Sequence, residues 1–220
     1  TDKENQKKAD EIYTKAIEKY LNKIENEKNN AELFYYLSFC YFNTGKNNLG
    51  FYNIEKAAEL DPNNLFYLDF IARKYYDAKK YLKVIEVYSK AVNICNNCPY
   101  YYSNRAIVYQ KIENYKEAID DLSLYYKIAN REQDRNLREK RGLNFLKLSK
   151  QNSESLEISI DNLYDAIRDF DFSINYLLEL NDAKNINDLF ELYEKESDVE
   201  YLSKIISYRA EALFELSEKK

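Results

Sequence analysis

Small residues recur along this chain at intervals of 34 residues, in two separate series. The first series is Ser38, Ala72 and Ala106, and the second is Ala16, Gly50, Val84 and Ala118. A large aromatic residue keeps the same spacing beside the first series, at Tyr41, Tyr75 and Tyr109. Where two helices cross closely, a small side chain is needed at the crossing and bulky side chains fill the space beside it. The period therefore predicts stacked pairs of antiparallel helices.

The scarcity of helix-breaking residues supports the same interpretation. The 220 residues include only three glycines and two prolines, which is far below average usage and indicates an almost wholly helical chain. Gly45 lies where the period places a turn between two helices, and Pro62 and Pro99 lie between successive pairs. The other two glycines, Gly50 and Gly142, lie at predicted helix crossings.

The first complete unit of this pattern spans residues 31–64. Its periodic residues are Phe34, Leu37, Ser38, Tyr41, Gly50, Ile54, Ala57 and Pro62. The pattern resembles the tetratricopeptide repeat, a helical hairpin of 34 residues, and residues 65–98 and 99–132 repeat it in the same register. The resemblance implies an all-α fold, namely a right-handed superhelical solenoid of antiparallel helix pairs whose first helices line a concave face.

Both ends of the chain depart from the regular pattern. Residues 1–30 match only the second helix of a partial repeat, and residues 182–220 predict an extra helix followed by the start of a further repeat at Ala210. We therefore expect either a fragment of a longer repeat protein or an array with unusual caps.

Residues 133–181 match a divergent repeat that contains an insertion. Phe145 and Ala166 are 21 residues apart, whereas the corresponding Tyr109 and Ala118 are 9 residues apart. The difference predicts an insertion of about 12 residues between the two helices of this repeat, a length that the 34-residue period does not contain.

The resemblance also implies where a ligand would bind, because proteins of this family usually contact ligands through concave positions of the first helices. Those positions include Tyr35, Tyr36, Phe39, Phe66, Phe70, Arg73, Tyr76, Asn104, Ile107 and Lys140. The set is rich in aromatic residues, and an exposed apolar strip of this kind is typical of a protein-binding site. Two alternatives remain open. The strip could reflect the 23 tyrosines of the chain, or another segment or a dimer mate could cover it.

One subgroup of the family grips the carboxylate at the end of chaperone tails with lysine, arginine and asparagine side chains. In one register the corresponding residues are Tyr35, Phe39, Phe70, Tyr100 and Asn104, which have lost the clamp. In the next register they are Asp69, Arg73, Asn104, Asn136 and Lys140, where Asp69 would repel a carboxylate. A co-chaperone role is therefore a weaker alternative than binding of an apolar partner.

Several chemistries are disfavoured by composition. The chain contains no histidine, which removes histidine bases and histidine metal ligands, and we expect no catalytic site, no metal and no cofactor. The net charge of −5 disfavours general nucleic-acid binding. No apolar run approaches the roughly 18 residues that span a bilayer, so we expect no membrane insertion. The abundance of Asn, Lys, Ile and Tyr indicates an AT-rich genome.

Two local motifs have structural interpretations. Cys95 and Cys98 are predicted to be free thiols in a loop between repeats, because no strand precedes them and zinc would need further ligands. The charged stretch 131–141 is predicted to form a solvated helix face, with an RNA contact as the minor alternative. The compartment is left open, with the cytoplasm favoured.

The sequence thus predicts a non-enzymatic scaffold that binds a peptide or helix of a partner protein in an aromatic groove. The principal alternative is a structural module that associates with itself, with the groove covered in cis or by a dimer mate.

Overall fold

The computed structural model of the protein describes residues 2–129, 135–151, 156–181, 183–192 and 196–219. Within these ranges every regular element is an α-helix, which confirms the all-α prediction. The chain divides into two compact units, Thr1–Asn96 (unit 1) and Asn97–Lys220 (unit 2). In the described part of the chain, no helix is long and apolar enough to cross a bilayer.

Unit 1 is a stack of five helices. They are α1 (Asp2–Asn26), α2 (Ala31–Asn43), α3 (Asn47–Leu60), α4 (Leu65–Asp77) and α5 (Tyr81–Ile94). Helices α2 and α3 pack as one antiparallel pair and α4 and α5 as another, while α1 packs on α2. This arrangement is that of a second helix followed by two complete hairpins.

Unit 2 contains two further hairpins and a C-terminal extension. Its helices are α6 (Pro99–Lys111), α7 (Tyr115–Ala129), α8 (Arg135–Gln151), α9 (Leu156–Leu180), α10 (Ile186–Leu192) and α11 (Glu196–Glu218). Helices α6 and α7 pair, as do α8 and α9, and α11 packs along α9. The second helix of the last pair, at 25 residues, is longer than the 15 residues of α7.

The first helices of unit 1 begin at asparagine caps. The side-chain oxygen of Asn30 accepts a hydrogen bond from the backbone N–H of Glu32 at 3.1 Å. Asn64 accepts in the same way from the N–H of Phe66 at 3.1 Å. Each cap satisfies a donor that the helix itself leaves unpaired, and so fixes where the helix starts.

The turn inside each hairpin uses a left-handed residue, and these residues recur every 34 positions. Gly45, Lys79 and Glu113 have φ values of 72°, 57° and 63°. In each turn the following residue donates its N–H back to a carbonyl five residues earlier, as Lys80 does to Tyr75 at 2.8 Å. These bonds close the C-terminus of the first helix and reverse the chain.

Small residues lie at the helix crossings of unit 1, as the period predicts. Ser38, Ala57, Ala72 and Ala91 are each 0% exposed. At Gly50 an added Cβ would lie 2.9 Å from the ring of Phe42. This ring therefore occupies the space that the missing side chain leaves.

In unit 2, buried ion pairs lie beside the small residues at the helix crossings. Arg105 donates two hydrogen bonds to Asp121, at 2.8 and 2.7 Å, and Arg141 donates two to Asp169, both at 2.8 Å. Arg138 lies 3.8 Å from the same Asp169. The side chains of Arg138 and Arg141 are only 15% and 14% exposed.

Two local predictions are therefore wrong. The described end of the charged stretch 131–141 is not a solvated face, because Arg138 and Arg141 face the buried Asp169; residues 131–134 lie outside the described part. Cys95 and Cys98 are disulfide-bonded rather than free, whereas Cys40 is a buried free thiol. Neither error was avoidable from spacing alone, since both depend on which side chains meet in space.

Candidate functional site

Aromatic rings from three helices of unit 1 form one connected layer. We call this layer the aromatic surface, and it consists of Tyr13, Tyr20, Tyr35, Tyr36, Phe39, Phe66 and Phe70. Helices α1, α2 and α4 contribute its rings. Helical spacing explains why the side chains of one helix share a face: Tyr35 and Phe39 are four residues apart, as are Phe66 and Phe70.

One row of rings runs from α1 across α2 to α4. Tyr20 stacks on Tyr36 with ring centroids 5.7 Å apart and an interplanar angle of 16°. Tyr36 contacts Tyr35 at 5.3 Å, and Tyr35 meets Phe66 edge to face at 5.1 Å. Edge-to-face and offset-stacked contacts at these distances are the favourable geometries for aromatic pairs.

A second row of ring contacts is joined to the first. Tyr13 meets Phe39 at 6.1 Å, and Phe39 lies 6.4 Å from Phe70. Tyr35 contacts Phe70 edge to face at 5.3 Å and so connects the two rows. Since every ring rests on another ring, the layer is held in place before any ligand arrives.

Three rings of this layer are open to solvent. Tyr36, Phe39 and Phe66 are 39%, 40% and 56% exposed, whereas Tyr35 and Phe70 are half-buried beneath them. Clustered exposed aromatic side chains on a rigid support are characteristic of interaction sites, because their burial releases water at little cost in side-chain entropy.

The charged side chains at the margin of the aromatic surface form hydrogen bonds, ion pairs or cation–π contacts with neighbouring side chains. The Tyr36 hydroxyl donates to Glu32 at 2.8 Å, and this bond raises the pKa of Tyr36. Arg73 pairs with Asp69 one turn earlier on α4. The ammonium group of Lys74 lies 5.0 Å from the ring centroid of Phe42 and 5.5 Å from that of Phe70. The layer is therefore apolar at its centre with balanced charge at its edge.

The phenols of Tyr35 and Tyr36 stay protonated at physiological pH, because the pKa of each lies above the ordinary tyrosine value. Burial raises the pKa of Tyr35, although the nearby Arg73 opposes this effect. A neutral phenol presents an apolar ring and a single hydroxyl, so the chemistry of the surface is recognition by contact and hydrogen bonding. In the described residues, no group of three or more carboxylate or thiol side chains could hold a metal ion.

The structure brings together only part of the predicted binding set. Tyr35, Tyr36, Phe39, Phe66 and Phe70 share the aromatic surface, with Arg73 on the same helix α4. Tyr76 instead contacts Tyr81 of α5 at 5.7 Å.

The remaining predicted residues belong to unit 2. Asn104, Ile107 and Lys140 are half-buried there. The Asn104 amide donates to the backbone carbonyl of Tyr100 at 2.8 Å, within its own helix. In a chaperone-tail clamp, the amide of Asn104 would donate to the carboxylate of the ligand. The bond to Tyr100 already uses one of the two donors of this amide.

Sequence reasoning missed the contribution of α1. Tyr13 and Tyr20 lie in residues 1–30, which match a second helix, and so were not among the concave first-helix positions. Both rings nevertheless extend the aromatic surface. Their seven-residue spacing on one side of α1 was the available signal. Lys74 was also missed, because cation–π contacts have no sequence signature.

Comparisons with known proteins identify the fold. No protein-family model matches the sequence. The structure resembles MamA in two crystal structures: one from AMB-1, with TM-score 0.54 and 13% identity over 86% of this chain and 96% of that chain, and one with TM-score 0.53 and 15% identity over 78% and 90%. The chain has the helical-repeat fold of MamA. This confirms the tetratricopeptide-like fold class.

Two weaker similarities accompany these. YrrB, described as a TPR protein with an unusual peptide-binding site, has a TM-score of 0.48 and 16% identity over 89% of this chain and 96% of that chain. Anaphase-promoting complex subunit 3 of Schizosaccharomyces pombe is 28% identical over 86 residues. That match covers 39% of this chain and only 13% of the yeast protein.

Proposed function

We propose that the chain is a non-enzymatic protein-interaction scaffold that binds an apolar peptide or helix of a partner protein on the aromatic surface of unit 1. The observation that carries this proposal is the exposure of Tyr36, Phe39 and Phe66 on a layer of interlocked rings. Structural similarity to helical-repeat proteins supports the scaffold role in general terms.

The energetic argument rests on burial of the three open rings. Each square ångström of apolar surface removed from water contributes about 25 cal/mol, and aromatic anchors often dominate the free energy of an interface. Because the supporting rings are already packed against one another, binding of a ligand would cost little conformational entropy in ordering them.

The charge pattern indicates which ligand fits. Glu32 is hydrogen-bonded to Tyr36 and Asp69 is paired with Arg73, so no cluster of free positive charge is built into the centre of the surface. An amphipathic segment with leucine, phenylalanine or similar side chains at helical spacing suits this surface better than an acidic tail.

The test uses a phage-displayed library of 16-residue peptides selected on the immobilised 220-residue chain. The variant used for comparison carries Phe39→Ser and Phe66→Ser. These substitutions remove two exposed rings and leave the half-buried rings beneath them unchanged. Tyr52→Ser is the matched control, because Tyr52 is 64% exposed on α3, away from the aromatic surface. Circular dichroism checks that all baits are folded.

We expect selected peptides to be apolar, to bind the wild-type chain and the Tyr52→Ser variant equally, and to lose at least about tenfold in affinity on the double variant. Peptides that bind all three baits equally would contradict the proposal. A stable dimer that shields Phe39 and Phe66 in sedimentation and labelling experiments would favour self-coverage instead.

A further inference from the structure

The connections that lead into α2, α4 and α6 share one backbone conformation. They lie 34 residues apart and end at the N-cap residues Asn30, Asn64 and Cys98. The φ values of these three residues are −88°, −78° and −98°, and their ψ values are 98°, 97° and 95°. The chain therefore enters all three helices along the same local path.

In the first two connections a side-chain hydrogen bond closes the loop. The amide of Asn30 donates to the carboxylate of Glu27 at 2.7 Å, and the amide of Asn64 donates to the carboxylate of Asp61 at 2.9 Å. Both acidic residues precede the N-cap residue by three positions. The oxygen of each amide meanwhile caps the helix that follows.

In the third connection a disulfide takes the place of this hydrogen bond. Cys95 and Cys98 follow Asp61 and Asn64 by 34 positions, and their sulfur atoms are bonded to each other. The backbone conformation is retained, with φ and ψ of −130° and 83° at Cys95 against −135° and 77° at Asp61. Since a hydrogen bond supports the same conformation in the earlier loop, the loop does not require the S–S bond.

The disulfide can be reached by a reagent in solution. Cys95 and Cys98 are half-buried, and Asn96 and Asn97 between them are exposed. Cys98 stands at the N-terminus of α6, a position where a helix stabilises negative charge such as that of a thiolate. In thiol–disulfide exchange the sulfur that is more stable as a thiolate leaves faster. Attack at Cys95 is therefore favoured, because it releases Cys98.

The third cysteine of the chain is protected from the same chemistry. Cys40 is 4% exposed and packs in a core with Ile17, Leu37 and Tyr41. Burial raises the pKa of the Cys40 thiol, so little of the reactive thiolate is present at neutral pH. The reactions of the exposed pair can therefore be measured in the folded chain without interference from Cys40.

We propose that Cys95 and Cys98 form a reversible thiol–disulfide exchange site that reacts with low-molecular-weight thiols of the glutathione class. The thiolate of one thiol molecule attacks Sγ of Cys95 and forms a mixed disulfide. The Cys95–Cys98 bond breaks, and Cys98 leaves with the electron pair as a thiolate.

A second thiol molecule completes the reduction. Its thiolate attacks the sulfur of the first thiol molecule in the mixed disulfide, so that a disulfide of the reductant forms and Cys95 leaves as a thiolate. Two electrons pass from the two thiols to the protein, and the two thiol protons end on Cys95 and Cys98. The reverse sequence, with oxidised glutathione as the oxidant, forms the protein disulfide again.

The experiment places the 220-residue chain in buffers with a series of ratios of reduced to oxidised glutathione. One set of samples starts from the oxidised chain, and the other starts from the chain reduced with dithiothreitol and desalted. Excess N-ethylmaleimide then traps free thiols in the folded chain, and intact mass spectrometry counts the adducts. The matched control carries Cys95→Asp and Cys98→Asn, which introduces the residue pair of Asp61 and Asn64.

We expect both sets of samples to reach the same fraction of chains with two adducts. A tenfold rise in reduced glutathione at constant oxidised glutathione should raise the ratio of reduced to oxidised chain about 100-fold, because two thiol molecules are consumed. Cys40 should react only after denaturation. The control variant should remain folded by circular dichroism and acquire no adduct in the native state.

The leaving sulfur is identified by peptide mapping. The oxidised chain is exposed briefly to reduced glutathione and then trapped with N-ethylmaleimide. We expect the mixed disulfide on Cys95 and the maleimide on Cys98, because the N-terminus of α6 stabilises the released thiolate. The opposite distribution would contradict this order of steps.

Three other results would overturn the proposal. A pair that stays oxidised at every glutathione ratio until the chain is denatured would be a permanent structural cross-link. A pair of thiols that oxidised glutathione does not join would show that no exchange site exists. Loss of the helical circular dichroism signal on reduction would show that the fold requires the S–S bond, contrary to the comparison with Asp61 and Asn64.

Discussion

At the scale of single residues, charge is placed differently in the two units. Ile71 and Val87 of unit 1 are buried apolar residues, and the residues 34 positions later, Arg105 and Asp121, form a buried ion pair in unit 2. The next hairpin has a second buried pair, between Arg141 and Asp169. A buried ion pair adds little net stability compared with an apolar pair, but removing one partner leaves an uncompensated buried charge. Removing one member of either ion pair should therefore destabilise unit 2.

Asp169→Asn is expected to destabilise unit 2 by about 3–5 kcal/mol, because Arg141 would remain buried without its carboxylate. Urea denaturation followed by circular dichroism measures the free energy of unfolding. Asp165→Asn is the control on the same helix: Asp165 pairs with Arg168, whose side chain is 68% exposed, and its loss should cost about 1 kcal/mol or less. Similar costs for both variants would contradict this account.

At the scale of helices, the turns between paired helices set the hairpin geometry. The left-handed residue is glycine in the first hairpin, but lysine and glutamate occupy the same conformation at residues 79 and 113. A left-handed conformation costs a residue with a Cβ roughly 1 kcal/mol, a cost that glycine avoids. The described part of the chain therefore has two strained turns that the sequence alone did not reveal, because Lys and Glu give no turn signal.

Substitutions to glycine and from glycine at these turns should change the free energy of unfolding in opposite directions. Lys79→Gly and Glu113→Gly are each expected to stabilise the protein by up to about 1 kcal/mol, and Gly45→Ala to destabilise it by a similar amount. No atom lies within 4 Å of a Cβ built at Gly45, so the cost there is conformational rather than steric. Thermal unfolding of the three variants tests the sign, and destabilisation by both glycine substitutions would refute the argument.

A crossing glycine should behave differently from a turn glycine. At Gly142 an added Cβ would lie 3.1 Å from the Asp169 Cβ and 3.1 Å from the Phe170 ring. Gly142→Val is therefore expected to cost about 1–3 kcal/mol through overpacking. Urea denaturation measures this cost, with Gly45→Ala as the reference for strain without contact. A neutral effect of Gly142→Val would show that α8 and α9 can separate freely.

At the scale of the whole molecule, tyrosines that are buried or half-buried dominate the response to alkaline pH. Burial is the main cause that raises the pKa of Tyr35, Tyr41, Tyr67, Tyr75 and Tyr109. The Tyr75 hydroxyl also donates to Glu55, which raises its pKa further. Each of these phenols holds its proton more tightly in the folded protein than in the unfolded chain.

The free energy of unfolding is expected to fall as pH rises above about 10, the ordinary tyrosine pKa. Above that value the unfolded chain binds fewer protons than the folded protein, so the slope of stability against pH is negative. The contribution is fully present below pH 10. Absorbance near 295 nm and circular dichroism should change together in one cooperative step. Tyr41→Phe should make the loss less steep, and an unchanged slope would contradict the account.

The sequence by itself determined the helical fold class and the 34-residue spacing of small and large residues, because helix packing imposes both directly on the order of residue types. It also placed five of the seven rings of the aromatic surface. Tertiary structure alone decided that Tyr13 and Tyr20 complete that surface, that Arg138 and Arg141 turn inward to Asp169, and that α11 leaves Phe214 uncovered. A period fixes the side of a helix on which a residue lies, whereas its exposure depends on which neighbour packs against that side.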